Sequence, residues 1–328
     1  MNRKGFTLVE IMAVIVIFGL LISIIVPIVS NLLKDSEDTL HDEQIDMVVK
    51  ASQKYMVEHS ELLPEGSDYS AVYIDDLINS GVIDNDKVID PKTKEELEGC
   101  VIVNYNDSFN QYEYNYRDNC SINITFDPEG GSVDTTSKEV MIGKTYGELP
   151  EPTRDGYIFK GWRGKNMFDY NEILLDNSST VSLTDLNGVD VISWKNNNSA
   201  NSQKFLQGYF SEGKQYTFSG RIASSQKNYG NIKIKYTDGS DENKIFWNII
   251  LEPNVFYEQT FTSRNDKSVD YIRGSWNNSE KMYIDINSFQ IEEGATATEF
   301  EPYQEFDSNT VVKKGSDYVL HAIWEVDA

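Results

Sequence analysis

Between Phe6 and Ser30 the chain carries a single charged side chain, Glu10. At ~1.5 Å rise per residue this 25-residue stretch reaches roughly 37 Å as a helix, enough to cross a hydrocarbon core of ~30 Å. No ordinary soluble domain can bury such a run, so a membrane span over about 6–30 is predicted. Arg3 and Lys4 precede it, and by the positive-inside rule they hold the start in the cytoplasm and put the remainder outside. A secretory signal peptide fits poorly, because no small-x-small cleavage site follows and the pattern continues into a long helix. That leaves the carboxylate. At a bilayer centre it costs on the order of 3 kcal/mol, which marks Glu10 as functional and in need of a partner.

The run Lys4-Gly5-Phe6-Thr7-Leu8-Val9-Glu10 resembles the start of a type IV prepilin. The resemblance implies a leader, residues 1–5, removed by a prepilin peptidase that cuts between Gly5 and Phe6. It also implies N-methylation of the new terminal Phe6, and assembly in which Glu10 meets the terminal amine of a neighbouring pilin subunit. That contact would offset the carboxylate's desolvation. Pro27 cannot donate a helix hydrogen bond and is expected to kink the helix or let it melt locally, with Gly19 a second soft point. Beyond Ser30, Leu33, Leu40, Val48, Ala51 and Tyr55 recur at near-helical spacing, which predicts an amphipathic continuation to about Glu58.

Residues up to 120 complete a pilin-like unit, 6–120, with a small α+β head. A short helix is predicted at Ile74–Ile78, stopped by Gly81, and a hairpin pairs Val101–Tyr105 with Tyr112–Tyr116. Cys100 and Cys120 flank that hairpin. In an exported protein they suit a disulfide closing about 21 residues; two free buried thiols are the alternative.

At Ser121 the texture changes to Phe126-Asp127-Pro128-Glu129-Gly130-Gly131, then Leu149-Pro150-Glu151-Pro152, then Gly156-Tyr157-Ile158-Phe159-Lys160-Gly161-Trp162. This resembles the Listeria–Bacteroides repeat, a small β-grasp-like module of Gram-positive surface proteins. Its closing hairpin is missing after Trp162 and reappears as Thr310–Gly315 and Tyr318–Trp324. The repeat is therefore read as discontinuous, 121–163 and 306–328, with Trp162 and Trp324 as core partners and a second domain, 164–305, inserted in its terminal loop.

The insert reads as all-β, with strands at Val189–Trp194, Lys204–Phe210, Gln215–Ile222, Asn231–Tyr236, Phe256–Thr262 and Met282–Phe289. Its opening Asn166-Met167-Phe168 and its ending, Phe289 through Tyr303, resemble jelly-roll, carbohydrate-binding-module-like domains of bacterial surface and phage tail proteins. A sugar ligand needs aromatic rings that stack on its faces. Trp276, Trp194, Trp247, Tyr229 and Tyr271 are the candidates, with Trp276 foremost for its loop context. Asp285, in Tyr283-Ile284-Asp285-Ile286, is a candidate for structural calcium, with a solvated strand carboxylate as the alternative.

The predicted class is α+β: a long pilin helix with a small head, then a β-grasp-like repeat carrying a jelly-roll sandwich. With 29 basic and 53 acidic residues the net charge is −24, which disfavours a phosphate-backbone partner. Three scattered histidines and no CxxC argue against a zinc cluster. No phosphate loop, HExxH or GxSxG is present, so no enzyme is expected and no cofactor required, calcium aside. The expected function is a minor pilin, at the tip or rare in the fibre, adhering to glycans or host surfaces. Its partners are the membrane, other pilins, the peptidase and the assembly machinery. It sits as a single-pass protein in the cell membrane before assembly and on the cell surface in the pilus afterwards. The alternatives are a pseudopilin of a secretion or DNA-uptake machine and an anchored surface protein that never polymerises.

Overall fold

A computed structural model of the chain describes residues 8–176, 181–195, 204–205, 210–225, 227, 231–243, 252–275 and 281–327. They form two compact units: 1–122 with 140–145 and 311–316, and 123–139 with 146–310 and 317–328.

The first unit is governed by helix α1, Leu8–Glu58. It runs unbroken through Gly19 and Pro27, so the local melting expected at the proline is not seen. Pro27 deletes one rung of the ladder, its own missing N–H, and the turns on either side hold the rest. The buried face of α1 is shorter than the periodicity suggested. Val48, Ser52 and Met56 are buried, whereas Leu33 and Leu40 are exposed, because the head covers only the C-terminal turns. That head comprises β1 (Tyr69–Tyr73), α2 (Ile74–Asn79), β2 (Cys100–Asn106) and β3 (Gln111–Arg117), in an antiparallel sheet ordered β1-β2-β3. Alternation decides the register: Val101 faces Tyr116 and Val103 faces Tyr114, and these four pack with Val48, Met56 and Leu77. Gly81 ends α2 with φ +72°, a left-handed conformation suited to glycine. Cys100 and Cys120 are joined by a disulfide.

Two short segments finish this unit. The Tyr69 N–H donates to the Lys313 carbonyl (2.7 Å), the Tyr73 hydroxyl to the Ile142 carbonyl (2.7 Å), and the Gly143 N–H to the Val312 carbonyl (2.8 Å). The residues around 310–315 were expected to be a hairpin strand of the repeat. Instead Val311 makes an isolated bridge to Thr145, Val312 bonds Gly143 and Lys144, and the Lys313 carbonyl serves the head sheet through Tyr69.

In the second unit the chain enters through β4 (Ser121–Asp127), β5 (Ser137–Met141) and β6 (Tyr157–Arg163). After α3 (Tyr170–Asp176) come β7 (Val181–Leu186), β8 (Val189–Lys195), β9 (Lys204–Phe205), β10 (Tyr216–Ser224) and β11 (Asn231–Tyr236). These are followed by β12 (Asp241–Asn243), β13 (Tyr257–Thr262), β14 (Val269–Ser275), β15 (Lys281–Asp285) and β16 (Gln290–Glu293). The chain returns through β17 (Glu305–Phe306) and β18 (Tyr318–Val326). One sheet runs β17-β6-β18-β4-β5, with β18 parallel to β4 and antiparallel to β6. The insert is a sandwich. Its larger sheet is β13-β10-β15-β8-β7, with β16 also on β10, and its smaller sheet is β12-β11-β14-β9. Ile192, Phe218, Ile222 and Ile284 of the first sheet pack in one core with Ile234, Tyr236 and Ile272 of the second. The strand expected to continue to Phe289 stops at Asp285, where Asn287 and Phe289 fold back to bond Asp285.

Candidate functional site

The feature that most demands an explanation is the surface of α1. Met12 and, from Ile15 to Leu33, the large apolar side chains are exposed, Phe18 at 59%, and among the described residues nothing in the apolar window is buried. Fully burying one such side chain is worth ~1.5–3 kcal/mol. A bare stripe of this length is unstable in water and is satisfied only by lipid or by other helices. Glu10 lies in the first turn of α1. Gly5 and Phe6 lie outside the described residues.

In the sandwich the structure revises two expectations. Trp194 is 3% exposed and packs in the core, with β8 paired to β15 so that Trp194 faces Met282. Its ring therefore offers no face to a sugar. Asp285 is fully buried and is held by the Arg221 guanidinium, which donates from Nε at 2.8 Å and also from Nη2. Its other oxygen accepts from the Asn287 N–H at 3.0 Å. The carboxylate's charge is already answered by a cation, so Asp285 is a clamp rather than a calcium ligand. The sequence places Asp285 on a strand but does not show that an arginine from β10 meets the carboxylate there. Tyr271 is half-buried on β14. Trp276, Trp247 and Tyr229 lie outside the described residues.

The structure also brings forward residues that the sequence reading passed over. At the β2–β3 turn Phe109 is 71% exposed beside Tyr112, whose ring meets Tyr105 edge-on at 5.1 Å. In the repeat sheet, Glu129, Arg163 and His321 converge from three distant stretches. Burial by itself would raise the Glu129 pKa; the His321 hydrogen bond and the Arg163 charge outweigh it and hold the carboxyl down at about 2.

The motif residues of the repeat have clear structural roles. Trp162 is buried and its indole donates to the Pro150 carbonyl (2.9 Å). Trp324 donates likewise to the Pro128 carbonyl (2.9 Å), and Phe159 sits edge-on to both rings. A Cβ on Gly131 would come within 2.7 Å of both the Thr153 carbonyl and the Trp324 ring.

Comparison with known proteins agrees with this anatomy. Residues 1–26 match the prokaryotic N-terminal methylation motif, and residues 123–186 match the Listeria-Bacteroides repeat domain. No curated protein matches the chain. Among solved structures, a family 29 carbohydrate-binding module aligns at 14% identity over 46% of this chain and 84% of its own, with a TM-score of 0.22. A point mutant of CBM29-2 aligns at 14% over 45% and 86%, with a TM-score of 0.21. At those scores the likeness carries no weight for the ligand. The methylation motif on an exposed apolar helix gives the chain a pilin-like N-terminus, which anchors it in the membrane for display at the cell surface.

Proposed function

We propose that the chain is a minor type IV pilin that presents its β-sandwich at or near the pilus tip for adhesion, with glycans as the ligand class. The observation that carries the assembly role is the prepilin-type start on a helix whose apolar surface is uncovered over several turns. Such a surface suits lipid before assembly and neighbouring helices after it. Prepilin peptidase and the assembly machinery are the partners this requires. The bulk of the second unit supports a rare position, since close-packed helices leave little room for a large outer body on every subunit. The protein acts by binding and display, without catalysis. The glycan reading rests on the sandwich architecture and on aromatic residues beyond Trp194, chiefly Trp276.

The decisive test is Glu10→Ala. The variant should be processed and membrane-bound yet missing from sheared pili. Normal incorporation would refute the assembly role. Gly5→Leu should retain the leader, read as an N-terminal sequence beginning at Met1.

A further inference from the structure

The inserted sandwich leaves the repeat after Arg163 and returns at Glu305, and these two residues face each other across the β6–β17 pair. A pair that short opens one rung at a time from its free end, and each backbone bond is worth only ~1 kcal/mol net. By itself it would be a loose neck.

Side chains stiffen it from both linkers. The Gly164 N–H donates to the Gln304 carbonyl at 3.0 Å. The Lys165 ammonium donates to the Glu299 carbonyl at 2.9 Å and pairs with the Glu301 carboxylate at 3.1 Å. The Asn166 amide donates to the Glu301 carbonyl at 2.8 Å, while its oxygen accepts from the N–H groups of Phe168 (2.9 Å) and Ile291 (3.1 Å).

Beneath the neck lies Glu129, buried, on the turn that follows β4. Its backbone is in the left-handed region, φ +46°, pinned by its own N–H to Asp127 (2.9 Å) and by Arg154 on its carbonyl (3.1 Å). One carboxylate oxygen accepts from Arg163 Nη2 and lies beside His321 Nδ1, each at 3.0 Å. Arg163 in turn donates to the Gly164 carbonyl, the first residue of the outgoing linker, at 2.9 Å. The other oxygen accepts from the Ser211 hydroxyl, a residue of the insert, at 3.0 Å. Asp127, Glu129 and His321 place metal-type ligand atoms close together, but the guanidinium already supplies the cation. One carboxylate, carried on the repeat's first turn, thus touches the exit strand, the closing strand and the inserted domain. A charge held by three groups in a buried site resists the displacement of any one of them.

We propose that Glu129 is a lock that makes the repeat and the inserted sandwich one mechanical body, so that load on a displayed sandwich passes to the repeat without opening the β6–β17 neck. The inference is independent of what the sandwich binds.

Hydrogen exchange followed by mass spectrometry on the full chain in detergent micelles tests it. The reporters are peptides covering 163–167 and 299–306, with a peptide of β15 as the internal reference. Ser211→Ala removes the side-chain contact to Glu129 alone, Glu129→Gln removes the charge, and Ser263→Ala removes a comparable buried bond (to the Tyr216 N–H, 2.9 Å) that does not touch Glu129. Ser211→Ala and Glu129→Gln should each speed exchange in the neck peptides at least tenfold while β15 keeps its protection, and Ser263→Ala should leave the neck unchanged. Neck peptides at wild-type rates in Ser211→Ala would overturn the proposal. Equal loosening of neck and β15, or a neck loosened by Ser263→Ala, would overturn it too. If Glu129→Gln does not fold, Ser211→Ala still decides.

Discussion

The Asp285–Arg221 clamp predicts an asymmetry that can be measured. The Asp285 carboxylate is fully buried, while the Arg221 side chain is 40% exposed. Removing Asp285 as Asp285→Asn leaves a guanidinium that can turn to water. The loss is one charge-assisted pairing partly repaid by solvation, about 2 kcal/mol. Removing the guanidinium as Arg221→Met leaves a fully buried carboxylate whose one remaining partner among the described residues is the Asn287 N–H at 3.0 Å, which costs about 3–5 kcal/mol. The double variant should be less destabilised than the sum of the singles by at least ~1 kcal/mol, because the second change removes a charge the first left stranded. Denaturant and thermal melts of the four proteins, monitored on the sandwich, give the cycle. At roughly 3 °C per kcal/mol the two singles should differ by several degrees in Tm. The reasoning fails if Asp285→Asn costs more than Arg221→Met, or if the singles simply add. It fails equally if calcium raises the wild-type Tm and Asp285→Asn abolishes the rise, since that would return the carboxylate to a metal.

Three further outcomes are expected. Replacing Cys100 and Cys120 with serine should destabilise the first unit by about 3 kcal/mol, the loop-closure value for a sequence separation of 20, read as a lower urea midpoint that reductant no longer changes. Gly131→Ala should lower the stability of the repeat sheet by about 1–3 kcal/mol in a thermal melt, since the contact atoms are a backbone carbonyl and a packed indole that cannot both yield. The third concerns acid. A carboxyl whose pKa falls from 4.5 to about 2 on folding stabilises the protein above the unfolded value and loses that contribution as pH drops towards 2. Urea midpoints should therefore decline between pH 4.5 and 2 by an amount on the order of 3 kcal/mol from Glu129 alone, and Glu129→Gln should flatten that part of the profile.

Much of this protein is local and so was readable in one dimension. A 25-residue apolar run needs no tertiary knowledge, because hydrophobicity and length alone set what solvent it tolerates. A strand such as β11 announces itself by alternation, Ile232, Ile234 and Tyr236 against Lys233 and Lys235. The strand β7 was missed although its turn is written in the sequence: Asn187-Gly188, with φ of +58° and +83°, is the two-residue connection that hairpins favour. The motif of the repeat was legible as a motif, but its reason is geometric. Gly131 is glycine because Thr153 and Trp324, far along the chain, close over it.

What only the folded chain decided is which charges and rings face one another. Nothing in the sequence around Trp194 shows that burial takes its ring out of reach of any ligand. Asp285 on its strand gives no hint that Arg221 waits on β10. The Glu129 cluster joins residues 129, 163, 211 and 321. Solvent preference and backbone periodicity act over a few neighbouring residues and can be read one stretch at a time. Electrostatic pairing and steric exclusion act through space, and in a chain that leaves a sheet for some 140 residues before returning to it, only the tertiary structure brings those partners within reach.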